Sequence, residues 1–109
     1  MIEVTIRLNG SGVISGIRAV GHSGAAAKGQ NIVCASASVL FRTLGRTLEG
    51  KEGIVIEGSA DSRGEFFLEV ISCSNTLHGW LEGVTSCILT GLRDLETENP
   101  DELSVSIKV

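Results

Sequence analysis

Two residue types able to do chemistry together stand on either side of a short loop of small residues. Gly21-His22 comes before the loop, and Gly29-Gln30-Asn31-Ile32-Val33-Cys34 comes after it. With a helix beginning near Asn31, Cys34 falls in its first turn. There the positive end of the macrodipole and unpaired backbone N–H groups favour thiolate over thiol. The same N–H groups could donate to the oxyanion formed when a thiolate attacks a carbonyl. An unperturbed imidazole titrates near neutrality, so His22 can take the thiol proton and return it to a leaving amine. Taken singly, a cysteine among alanines also reads as a small buried hydrophobe, and a histidine at a strand end as a turn residue. The pair points to acyl transfer.

The elements that must position this pair are legible in the hydrophobic pattern. Ile2, Val4, Ile6 and Leu8 alternate with polar residues, as in a strand with one buried face. Asn9-Gly10-Ser11-Gly12 is turn chemistry, Asn-Gly supplying positive φ, and Val13 to Val20 completes a hairpin that delivers Gly21 and His22 at its end. Residues 21–30 are rich in glycine and alanine and read as a loop. Gly21, Gly24 and Gly29 would let it approach a substrate backbone and order over it, or simply leave it flexible.

Beyond the loop, Val33, Ser36, Leu40, Leu44 and Leu48 recur at helical spacing up to a stop at Gly50. Ile54 to Ile56 and Phe66 to Ile71 read as a second strand pair, joined by the polar stretch Gly58 to Gly64. Leu77, Leu81, Val84, Ile88, Leu92 and Leu95 form a second helical stripe, with Asn75 as N-cap and Pro100-Asp101 as terminator. Leu103, Val105, Ile107 and Val109 alternate as a last strand. The order ββαββαβ with hairpin connections predicts an α+β fold, two helices layered on one mostly antiparallel sheet, in a single domain spanning residues 1–109.

Composition narrows the function classes. The chain has 109 residues, 42% hydrophobic and 20% charged, with a net charge of −4, a globular composition without the basic clusters that track phosphates. Direct nucleic-acid binding is therefore not expected. Cys34, Cys73 and Cys87 are an odd set without C-x-x-C spacing, which argues against a zinc site, a redox pair or a disulfide framework. No glycine-rich phosphate loop or carboxylate cluster calls for a cofactor or a metal. The first residues alternate instead of forming a basic segment and apolar block, and no apolar run approaches bilayer length, so a cytoplasmic location without membrane association is expected. Cys73, Cys87 and His78 read as structural or surface residues. Trp80 and the Phe66-Phe67 pair read as core or dimer-interface aromatics.

Gly21-His22-Ser23-Gly24 followed by Gly29-Gln30-Asn31-Ile32-Val33-Cys34-Ala35-Ser36-Ala37-Ser38 resembles the signature of the ribosomal-processing cysteine protease family, Prp. Chain length and element order resemble that family as well. The resemblance implies a catalytic dyad of His22 and Cys34, with a supporting serine at Ser38. Residues i and i+4 share a helical face, so Ser38 would bond either into the site or back to the carbonyl of residue 34. The family usually carries Asp before the Ile-Val-Cys segment, where this chain has Asn31. Asn31 could still cap the helix or orient the imidazole through its amide oxygen.

The resemblance further implies a cytoplasmic bacterial endopeptidase, homodimeric and cofactor-free. Its substrate would be the N-terminal extension of a large-subunit ribosomal protein precursor. Two alternatives stay open at this point: a non-catalytic assembly or binding subunit of the same fold, and a thiol hydrolase with another peptide substrate.

Overall fold

The computed structural model describes residues 1–21, 28–61 and 65–109, without the side chains of 28–31 and 61. The first strand, β1 (Ile2–Leu8), buries Ile2, Val4 and Ile6 as its alternation requires. It turns through Asn9, whose Oδ1 accepts the N–H groups of Ser11 and Val13 at 2.8 and 3.2 Å. The positive φ of this turn, 78°, falls on Gly12 and not on Gly10. Strand β2 (Ile14–Val20) returns antiparallel to β1.

Helix α1 (Lys28–Glu49) follows, then β3 (Ile54–Asp61) and β4 (Glu65–Cys73). A 3-10 turn (Asn75–Leu77) leads into α2 (His78–Glu98), and β5 (Leu103–Lys108) completes the order ββαββαβ. The strands lie in the order β3-β4-β2-β1-β5. Three of the four pairings are antiparallel, while β5 joins β1 in parallel, Val4 opposite Val105. The expected α+β layering holds, with a mixed sheet. Among the described residues no helix is long and apolar enough to cross a membrane.

One core lies between the sheet and the helices. Strand residues Ile6, Ile17, Leu68 and Leu103 meet Val33, Ala37, Phe41, Leu44 and Leu48 of α1 and Leu81, Ile88 and Leu92 of α2. At ~1.5–3 kcal/mol for each fully buried aliphatic side chain, this cluster dominates the stabilising side of folding. The helices also touch each other: a Cβ on Gly91 would come within 3.1 Å of Leu40 Cδ2, so a glycine there permits the close approach. Thr85 ties α2 to the sheet. Its hydroxyl accepts the N–H of Ile14 at 3.1 Å and donates to the Leu81 carbonyl at 2.8 Å.

Several expectations need correction. Helix α1 starts at Lys28, so Gly29 belongs to its first turn instead of the loop, and Asn31 lies inside the helix and cannot be its N-cap. The buried stripe of α1 runs through Ala37 and Phe41, while Ser36 and Leu40 are half-buried. The helix presents apolar surface to both the sheet and α2, which broadens the stripe beyond one row. Asn75 caps nothing: Ser74 precedes the 3-10 turn, and α2 begins three residues after Asn75 with Leu77 at its N-cap. Strand β3 runs on through residues 58–61, because the ladder to β4 pairs Gly58 with Leu68 and Ser59 with Phe67 whatever the side-chain polarity.

Among the described residues, no helix covers the far face of the sheet. Arg7 crosses it to bond Glu69 at 2.6 Å. It passes over Gly16, where a Cβ would overlap the guanidinium.

Candidate active site

Strand β2 ends at Gly21, which has a φ of 106° and lies so near the Met1 carbonyl oxygen that a Cβ would overlap it. Both facts restrict this position to glycine. The chain leaving Gly21 returns as α1, and Gly21 and Cys34 both border a cleft of about 710 Å3 between α1 and the β3–β4 side of the sheet.

From α1 the cleft receives Cys34, Ala37, Ser38 and Phe41, then Arg42, Gly45, Arg46 and Glu49. Its floor is Ile2, Ala19, Phe66 and Leu68, and its far wall includes Gly58, Ser59 and Ala60 of β3. Phe41 and Phe66 stack at its middle, ring centroids 5.1 Å apart and 11° from parallel. Cys34 is half-buried, so its side chain borders solvent-accessible space instead of vanishing into the core. An apolar trough with a thiol on one wall can seat an extended peptide and present its carbonyl to sulfur.

The structure brings together Gly21, Cys34 and Ser38 of the sequence-predicted residues. Ser38 is exposed one turn beyond Cys34 on the same helical face. Gly29 is placed in the first turn of α1. His22, Gly24 and most of the expected substrate loop lie outside the described residues, as does the Asn31 side chain. In the sequence His22 directly follows Gly21, which lines the cleft.

The electrostatic expectation for Cys34 changes. With α1 beginning at Lys28, the described N–H groups without helical partners belong to residues 28–30, and Cys34 sits roughly 9 Å along the axis from the helix start. Dipole effects fade within the first turn, and Cys34 lies beyond that turn.

Arg42, Arg46, Phe41 and the β3–β4 wall were not singled out from sequence. A signal existed, since positions 34, 38, 42 and 46 repeat every four residues on one helical stripe. Exposed arginines on such a stripe read as a solvated face until the opposite wall is known. Phe66 proves to be a cleft and core residue. Phe67 points to the helix-free face, where it lines a second groove of about 580 Å3 with Thr5, Arg18 and Glu69.

Comparison with known proteins adds family and fold. The family model described as cysteine protease Prp matches residues 1–104. A protein of Streptococcus mutans superposes with a TM-score of 0.81 at 22% identity, covering 99% of this chain and 94% of that one. The ribosomal processing protease Prp of S. aureus, in complex with a substrate peptide, superposes with a TM-score of 0.80 at 22% identity, covering 99% and 100%. The same S. aureus protease with a covalently linked product peptide gives 0.81 at 23% identity, again over 99% and 100%. A search of curated proteins gave no match.

Proposed function

The chain belongs to the cysteine protease Prp family, and from that premise we propose that it removes the N-terminal extension of a bacterial large-subunit ribosomal protein precursor, using Cys34 as nucleophile and His22 as general base. The observation that carries this reading is the position of Cys34, half-buried on the wall of an open apolar cleft into which the chain before His22 also leads. The S. aureus relative, a ribosomal processing protease in complex with a substrate peptide, supports the substrate class.

In the proposed reaction His22 takes the Cys34 proton, and the thiolate attacks the scissile carbonyl to form a tetrahedral oxyanion. Collapse breaks the C–N bond as imidazolium gives its proton to the departing amine, leaving a thioester on Cys34. Water, deprotonated by His22, then attacks the thioester, releasing the new carboxylate and restoring the thiol. Because Cys34 lies past the first turn of α1, the imidazole carries most of the activation. Ser38 bonds into the site from the next turn, and Asn31 orients His22. Gly21, bordering the cleft, is where the proposed substrate loop begins.

The protein acts in the cytoplasm as a homodimer, without cofactor. Val55 and Ile71, both more than half exposed on the β3–β4 edge, offer apolar surface for a second copy. The test is incubation of the wild type, Cys34→Ala and His22→Ala with the organism's own ribosomal protein precursor. Cleavage by the wild type and neither variant is expected. Undiminished cleavage by Cys34→Ala would remove the nucleophile assignment, and an intact precursor with the wild type would favour a binding role.

A further inference from the structure

The chain carries thirteen acidic residues against nine lysines and arginines, yet two arginines, Arg42 and Arg46, stand on the cleft wall in line with Cys34. Both are exposed, and neither has an ion-pair partner among the described residues. Arg46 has a structural reason for its position, since it lies in the last turn of α1 and complements the carbonyl end of the helix. Arg42 has none. It is mid-helix, and the acidic cleft residues Glu49 and Glu65 stand beyond Arg46 and on the opposite strand without pairing with it.

Resting on the protease reading above, we infer that Arg42, seconded by Arg46, is a specificity-determining residue that selects an acidic side chain on the bound peptide. Spacing says where that side chain lies. Arg42 is eight residues from Cys34, roughly 12 Å along the helix, and an extended peptide advances about 3.3 Å per residue. The acidic residue therefore stands about four positions from the scissile bond. Arg46, roughly 18 Å away, reaches the fifth or sixth position. Between thiol and arginines, the stacked Phe41 and Phe66 supply an apolar trough that keeps the peptide extended. Guanidinium is the cation suited to this task, because its planar fork matches a carboxylate with two parallel hydrogen bonds.

The test uses synthetic peptides spanning the precursor's cleavage site, differing only in Glu, Gln or Lys at the fourth position on either side of the scissile bond. Binding is measured by fluorescence anisotropy on Cys34→Ala, so that turnover does not intervene, and kcat/KM on the wild type. A solvent-exposed charge pair predicts that Glu on one side binds about 3- to 10-fold tighter than Gln, with Lys weaker still. The preference should shrink as salt rises. In the Cys34→Ala background, Arg42→Gln should reduce it, Arg42→Gln with Arg46→Gln should abolish it, and Arg42→Glu should turn it toward Lys. Melting curves check that the exposed substitutions leave the fold intact.

Equal binding of Glu and Gln peptides, or a preference undiminished in the double variant, overturns the inference. If the wild type cleaves all the peptides equally well, the inference falls and the protease reading stands. A Glu preference in binding without cleavage by the wild type does the reverse, upholding the inference and removing the protease reading.

Discussion

Helices α1 and α2 are nearly equal in length, 22 and 21 residues, and share one core on the same face of the sheet, yet they use their surfaces differently. Helix α2 is spent on packing: Leu81, Thr85, Ile88 and Leu92 are buried, and Thr85 bonds directly to the start of β2. Helix α1 seats Val33, Ala37, Phe41, Leu44 and Leu48 equally well, but its next row stands away from the β3–β4 wall and leaves a cleft. One helix closes the core; the other leaves part of its flank unpacked, and Cys34, the proposed nucleophile, lies on that flank. Chemistry on this fold is found where packing stops short, which keeps the cost of a reactive, partly solvated thiol away from the elements that hold the sheet together.

The sharpest way to break this contrast is a pair of truncations, one on each helix. Leu92→Ala removes a fully buried side chain of α2 and should cost about 2–5 kcal/mol, seen as a large fall in melting temperature. Cys34→Ala should abolish cleavage while shifting the melting temperature little. If Cys34→Ala destabilises as much as Leu92→Ala, the division between the two helices fails.

A smaller effect is expected at Thr85. Thr85→Val keeps the shape but strands the buried N–H of Ile14, at a cost of about 1–3 kcal/mol by denaturant titration, with kcat/KM of the remaining folded protein unchanged. Ser38→Ala on α1 should do the opposite. Stability should move by under ~0.5 kcal/mol, as at an exposed position, while kcat falls. Unchanged kcat would mean that Ser38 only bonds back along its own helix.

The smallest expected effect tests the far end of α2. Glu96 accepts the Val105 N–H at 2.7 Å and an Arg93 hydrogen bond at 2.9 Å, in that order the main reasons its carboxyl is held below the ordinary glutamate range. A depressed folded-state pKa contributes stability that is full above the unfolded value, near 4.5, and disappears as pH falls through the folded value. The wild type should thus lose a small increment relative to Glu96→Gln between about pH 5 and pH 3. Chemical denaturation across that window measures it, and parallel pH profiles would show that the bond to β5 is energetically idle.

How much of the molecule is legible in its residues varies with what each signal measures. Alternation in Ile2, Val4 and Ile6 and the four-and-three stepping from Leu77 to Leu95 are burial patterns, and burial is what the fold obeys. The start of α1 is harder to read, because Gly29 and Asn31 weigh against a helix locally, whereas three further residues extend the α1 backbone ahead of Asn31. Residues 58–61 resemble connecting chain because their side chains are small or acidic, but a strand ladder is a backbone bond. Parallel pairing of β5 leaves no trace in a period of two. At the site, His22 and Cys34 are legible as a motif. The far wall of the cleft is not, since it comes from strands distant in sequence, and the arginines facing it resemble any exposed helical charge.

The pairing of β5 with β1 has a consequence for the lifetime of the molecule. Ile2 forms part of the cleft floor, and its opposite number in the sheet is Leu103, so the first and last strands meet across nearly the whole chain. Loop closure of that span is among the slowest contacts the topology demands. No residue of β5 lines the cleft, so its part is to hold from the side the strand that carries Ile2, and that strand gains its second neighbour only once residues 103–108 have joined the sheet.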